Sequence, residues 1–152
     1  MFALNANAHC VIRKTIVVIA VKECGMTKFV VEGKPQPKER PRKGKNGGFY
    51  TPKKTKDYET LVGWYARNAY KGNPSEKAII VELNIFFKLP QRTTEIEGAY
   101  CMKKADVDNI SKSVLDGLNG IVWLDDKQVV ELIVRKYWHT ESKIEVEIKE
   151  AK

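Results

Sequence analysis

The chain has 152 residues, 43% hydrophobic and 30% charged, a balance that suits a single soluble globular domain and argues against wholesale disorder. Its 27 Lys and Arg outnumber its 19 Asp and Glu, and the formal net charge of +8 points to a polyanionic partner, either nucleic acid or an anionic membrane surface. Three cysteines without a CxxC spacing and two histidines supply neither a disulfide framework nor a zinc cluster, so a reducing cytoplasm is the expected compartment.

Residues 1–27 read as a leader. Its apolar run TIVVIAV, from Thr15 to Val21, is closed by Lys22 and Glu23 and falls far short of the ~20 apolar residues of a membrane span. No small-x-small cleavage pattern follows, so the run is read as a strand or an unstructured lead-in rather than a signal peptide. His9 and Cys10 are too isolated to form a metal site, and Met26 offers an alternative start of translation. The folded domain is expected over residues 28–152.

FVVEG, Phe29 to Gly33, is the first strand candidate. Lys34 to Lys56 then forms an extended arm: Pro35, Pro37 and Pro41 disfavour helix, Gly44, Gly47 and Gly48 punctuate the rest, and nine Lys or Arg face one acid, Glu39. A helix is predicted from Asp57 to Tyr70, capped by Thr55 or Asp57, with Leu61, Val62, Tyr65 and Ala69 on its buried face. AIIVELNIFF alternates Ile79, Val81, Leu83, Ile85 and Phe87 as a strand does. After a polar loop to Lys103, Ile110, Val114, Leu115 and Leu118 give a second helical face, stopped by Asn119-Gly120. QVVELIVRKYW and KIEVEIK read as strands of a hairpin around His139 to Ser142, the last with one wet face. Trp64, Trp123 and Trp138 are read as packing residues. The order predicts an α/β (α+β) single domain, a mixed β-sheet covered by two main helices.

Five of the six aspartates fall between residues 104 and 129: Asp106, Asp108, Asp116, Asp125 and Asp126. In extended backbone Asp106 and Asp108 leave on one side, about 7 Å apart. Lys112 and Asp116 continue a polar stripe along the helix, and Asp125-Asp126 precede the next strand, where a turn brings a third carboxylate back if the elements converge. Phosphodiester hydrolysis suits such a set: carboxylates hold Mg²⁺, which neutralises phosphate charge and lowers the pKa of bound water, while an ammonium steadies the developing charge. A basic arm beside it would hold DNA. The residues alone leave a plainer alternative open, with Asp108 a helix cap, Asp125-Asp126 a turn, and Lys112 with Asp116 a solvated ion pair.

The run Asp106-Val107-Asp108-Asn109 with Lys112, then Leu115-Asp116-Gly117-Leu118, then Trp123-Leu124-Asp125-Asp126-Lys127-Gln128-Val129, resembles the RusA family of Holliday junction resolvases. The likeness extends less sharply to the Pro-rich K-x-R-x-R arm and YTPKKTKDYE, and covers roughly Lys28 to Lys149. It implies an endonuclease domain over residues 28–152: a homodimeric, Mg²⁺-dependent, cytoplasmic enzyme that makes paired nicks in four-way DNA junctions during recombination and repair. No membrane and no small-molecule cofactor take part. Carried across residue by residue, Asp106, Asp108 and Asp126 match the metal-binding carboxylates and Lys112 the catalytic lysine, with Asp125 a weaker alternative to Asp126. Lys34, Lys38, Arg40, Arg42, Lys53 and Lys54 are DNA contacts on charge grounds. The competing readings are a less selective branched-DNA nuclease and a non-catalytic basic DNA-binding accessory protein.

Overall fold

The computed structural model describes residues 25–152. Residues 1–24 of the expected leader, including its apolar run, His9 and Cys10, lie outside them. Strand β1 spans Met26–Glu32, so pairing begins three residues before the FVVEG signal. It ends at Gly33, whose positive φ of 105° turns the chain into the arm.

Within the arm, two short strands, β2 (Arg42–Lys43) and β3 (Phe49–Tyr50), pair antiparallel across the glycine-rich tip. Helix α1, Lys53–Ala69, starts four residues earlier than its apolar pattern suggested. Pro52 precedes it without any side-chain cap, so neither Thr55 nor Asp57 caps it; Thr55 is instead fully buried. The buried face is Thr55, Tyr58, Val62, Tyr65, Ala66 and Ala69, and Leu61 points partly outward. Strand β4, Ile79–Lys88, buries the five expected alternating residues. Helix α2, Val107–Leu118, buries Ile110, Val114 and Leu118 and stops at Asn119, with Gly120 at a φ of 75°. A 3-10 turn, Asp126–Gln128, leads into β5 (Val129–His139), followed by β6 (Lys143–Glu150).

The four long strands form one mixed sheet in the order β1-β6-β4-β5. β4 runs parallel to β5 and antiparallel to β6. The expected β5–β6 hairpin is therefore not formed: β4 lies between the two strands. Three residues suffice to step over it, because two strand spacings are only ~10 Å. The end of β4 closes the step, with Leu89 N donating to His139 O at 2.9 Å and Lys88 N to Ser142 Oγ at 3.0 Å. A central β4 satisfies both of its edges with the most apolar strand of the chain, which a hairpin would leave half unpaired.

The inward side chains of β1, β4 and β6 meet the buried faces of α1 and α2 in one core that includes Trp123 and Trp138. Trp64, by contrast, is 46% exposed and does not pack as expected. Where the helices cross, each carries a glycine: a Cβ on Gly63 would meet Gly117 O at 3.1 Å, and one on Gly117 would meet Glu59 O at 2.8 Å and Val62 Cβ at 2.9 Å. Gly117→Ala is accordingly expected to destabilise the fold by about 1–3 kcal/mol through overpacking, although the same change on an open helix surface would add up to ~1 kcal/mol of propensity. A lowered midpoint in chemical denaturation confirms the close crossing; a raised one contradicts it.

Candidate active site

Asp106 is the N-cap residue of α2, in extended backbone, yet its carboxylate accepts no capping hydrogen bond. Its main-chain oxygen takes Ile110 N at 3.2 Å. Asp108 lies in the first turn, where Ser111 Oγ donates to its main-chain oxygen at 2.9 Å and its carboxylate is likewise unclaimed. The plainer account of Asp108, a helix cap, is thus not what its side chain does, and Asp106 stands at the cap position instead. The segment leading to them is fixed from beneath: Lys136 Nζ on β5 donates to Ala105 O at 2.9 Å, and Cys101 N to Lys136 O at 3.0 Å. Lys112 follows Asp108 by one helical turn, is exposed, and pairs with no carboxylate among the described residues.

Asp126 and Asp125 stand in unlike surroundings. Trp123, fully buried, donates Nε1 to Asp126 Oδ1 at 3.0 Å, which aims that carboxylate and leaves Oδ2 unclaimed. Asp125 caps the 3-10 turn instead: its Oδ1 accepts Lys127 N at 3.1 Å, and Lys127 Nζ lies 3.6 Å from Oδ2. Gln128 braces the corner. Its Oε1 accepts Leu124 N and Asp125 N at 2.8 and 2.9 Å, and its Nε2 donates to Ser75 O at 2.7 Å. Sequence reasoning assigned Gln128 no role, although its fixed place after the acidic pair was visible.

The arm reaches α2 at the acidic turn. Lys38 N donates to Asn109 O at 2.8 Å, beside Asp108, and Glu39 N to Thr55 Oγ1 at 3.2 Å. The Lys38 ammonium is hydrogen-bonded to Asp116 Oδ2 and lies 3.6 Å from Glu59 Oε1. Asp116 therefore pairs with Lys38, not with Lys112. The bond to Asp116 raises the Lys38 pKa above its ordinary value against the cost of burial, with Glu59 adding to it. Burial raises the Glu59 carboxyl above its own range, opposed by Lys38 and reinforced by Asp116. Lys38 thus differs from the other five basic residues proposed for DNA. Lys34, Arg40, Arg42, Lys53 and Lys54 are exposed, and of these Arg42 alone is held in an ion pair, to Glu39 at 2.9 Å.

Among the described residues no three His, Cys, Asp or Glu side chains stand close enough to hold a metal ion by themselves. The donors present still fit a hard divalent cation. Asp106 and Asp108 are oxygen ligands two residues apart that no protein donor satisfies, and Mg²⁺ is commonly held by one or two carboxylates, with water and substrate phosphate completing the shell. Among the described residues a soft-metal site is not on offer, since their one cysteine, Cys101, is buried in the core.

The profile of the family described as endodeoxyribonuclease RusA matches residues 32–149, from the end of β1 to the last strand. The chain is also similar to an uncharacterized protein, YqaN, of Bacillus subtilis (strain 168), with 29% identity over 135 residues, covering 81% of this chain and 95% of the relative. The acidic turn of α2, the braced Asp125-Asp126 corner and the basic arm all lie within the family match, and the chain belongs to the RusA endodeoxyribonuclease family.

Proposed function

We propose that the protein is a Mg²⁺-dependent, structure-specific endonuclease that resolves four-way DNA junctions by paired nicks, acting in recombination and repair in the cytoplasm. The observation that carries this reading is the pair of unsatisfied carboxylates, Asp106 and Asp108, on a turn to which the basic arm is tied at Asn109. In a chain of net charge +8, carboxylates left without a counter-ion are suited to an external cation. Asp106 and Asp108 would hold Mg²⁺, the free oxygen of Asp126 joining them only as metal and DNA complete the site, with Asp125 kept for the turn it caps. Bound there, the cation would neutralise phosphate charge and lower the pKa of the attacking water.

The chain's own groups supply the rest. Lys112 places an ammonium one turn from Asp108, where it stabilises charge on the phosphate in the transition state. Lys34, Arg40 and Arg42 line the arm, and Lys53 and Lys54 crowd the first turn of α1, which holds no acidic residue. Cations at a helix N-terminus oppose its dipole, so phosphate binding there relieves two repulsions together. A homodimer related by one two-fold axis would present two such sites to opposed strands of a junction.

End-labelled four-way junction, incubated with Mg²⁺, is expected to be nicked in pairs by the wild type and left intact by Asp108→Asn, a loss of at least ~100-fold, since several kcal/mol of charge stabilisation disappear. Linear duplex should be cut poorly. One observation favours a second reading, a non-catalytic accessory protein: the absence of a preformed three-carboxylate site among the described residues. That reading predicts junction binding indifferent to Mg²⁺ and no nicking by either form.

Asp126 separates structure from chemistry. Asp126→Ala leaves the buried Trp123 N–H without its acceptor and should cost about 1–3 kcal/mol in denaturant melts. Asp126→Asn keeps an oxygen for that bond and should melt near the wild type while losing cleavage. Equal melting of the two variants would show the Trp123 bond to be dispensable. For the arm, replacing both Arg40 and Arg42 by Ala should lower the slope of log Kd against log salt by ~0.9 for every phosphate these side chains neutralise, and an unchanged slope would remove both from the interface.

A further inference from the structure

Lys38 sits in the most basic stretch of the chain but is half-buried, its ammonium engaged by two carboxylates. Three attachments fall on it and its neighbour: Lys38 N to Asn109 O, Lys38 Nζ to Asp116 and Glu59, and Glu39 N to Thr55 Oγ1. They join the arm to α2, to the α1–α2 crossing and to α1. The trio carries two carboxylates to one ammonium, and Glu59 Oε1 is buried with no hydrogen-bond donor of its own. Withdrawing Lys38 to a phosphate would remove the ion-pair partner of both Glu59 and Asp116, the first with an oxygen already buried and without a donor, which is costly in a half-buried cleft. Lys56 and Arg67 line the same cleft, but Lys38 is the cation paired with both of its carboxylates. Arg40 and Arg42, two and four residues on, stand within ~7 and ~14 Å of it along extended backbone, so fixing Lys38 limits where they reach.

We infer that Lys38, Asp116 and Glu59 form a lock that seats the basic arm beside the Asp106–Asp108 turn, and that Lys38 is a positioning residue rather than a DNA contact. The effect on cleavage rests on the nuclease reading above. The seating of the arm does not.

The test uses the full chain with Lys38→Met, Asp116→Asn and the double variant, each checked for native circular dichroism. Without DNA, trypsin is expected to cut after Arg42, Lys43 or Lys45 at least ~5-fold faster in each single variant, and no faster in the double than in the singles, because both changes open one lock. Asp116→Asn preserves size and carries the test if Lys38→Met is unstable. In single-turnover junction cleavage at saturating enzyme, each single variant should be slowed at least ~10-fold by misplacement, while the salt slope of binding is unchanged. Equal trypsin rates in wild type and variants overturn the lock. So does the opposite DNA pattern, in which Lys38→Met lowers the salt slope by ~1 and Asp116→Asn binds the junction more tightly, since both follow if Lys38 contacts a phosphate. Should the wild type cut no junction, the nuclease reading falls, and the trypsin comparison still decides whether the arm is locked.

Discussion

Two helices approach closely because each presents a glycine to the other, and the charge around the candidate site is organised by that approach. With Gly117 against the Glu59 carbonyl, residues flanking the crossing are drawn together, among them the carboxylates of Glu59 and Asp116. Two carboxylates in a half-buried cleft require a cation. Lys38 supplies it from the arm, and its backbone then bonds to Asn109 beside Asp108. A packing constraint in the core is thus converted into the position of a basic loop over an acidic turn.

The carboxylates of the acidic region divide by how completely the protein compensates them. Asp116 has Lys38; Asp125 has the turn it caps; Asp126 has Trp123 on one oxygen. Asp106 and Asp108 have no such partner among the described residues, although lysines surround them in sequence. Lys103 is drawn off to Glu95 at 2.8 Å, Lys104 lies 5.7 Å from the centre of the Trp138 ring, and Lys136 is spent on main-chain oxygens. In a chain of net charge +8, two neighbouring carboxylates without a protein partner are the exception among the acids of this region.

Much of this was legible from local pattern. The period-two alternation of β4 and β6 and the face of α2 emerge as read, because they depend on neighbours within a few residues. The acidic cluster and the arm were visible as composition. What escaped was decided by distant partners. The β5–β6 hairpin looked sound from its short connector, but β4, about fifty residues earlier in the chain, takes the place between them. α1 starts at Lys53 because Pro52 sets the entry, while its apolar face begins later. Lys38 and Asp116 are 78 residues apart, and no spacing rule links them. Gly63 and Gly117 carry no signal of their own in the sequence, and their place at the helix crossing emerges only from the fold.

The Asp106–Asp108 turn and the Asp126 corner are each anchored to the fold, and that anchoring constrains how the two could work together. Lys136 and the pairing of β5 with Ala99 and Cys101 hold the Asp106–Asp108 turn from below, while Trp123 and Gln128 hold Asp126. On the nuclease reading, a cation held by two carboxylates on one rigid turn keeps open positions that water or a phosphate oxygen must fill. DNA then raises the affinity for metal, and by thermodynamic reciprocity metal raises the affinity for DNA by the same factor. The unsatisfied pair would oppose phosphate when empty and attract it when loaded, so the arm can hold DNA without the ion while close approach to the acidic turn awaits it. On that reading, electrostatic repulsion between the empty site and its substrate would couple metal, junction and cleavage.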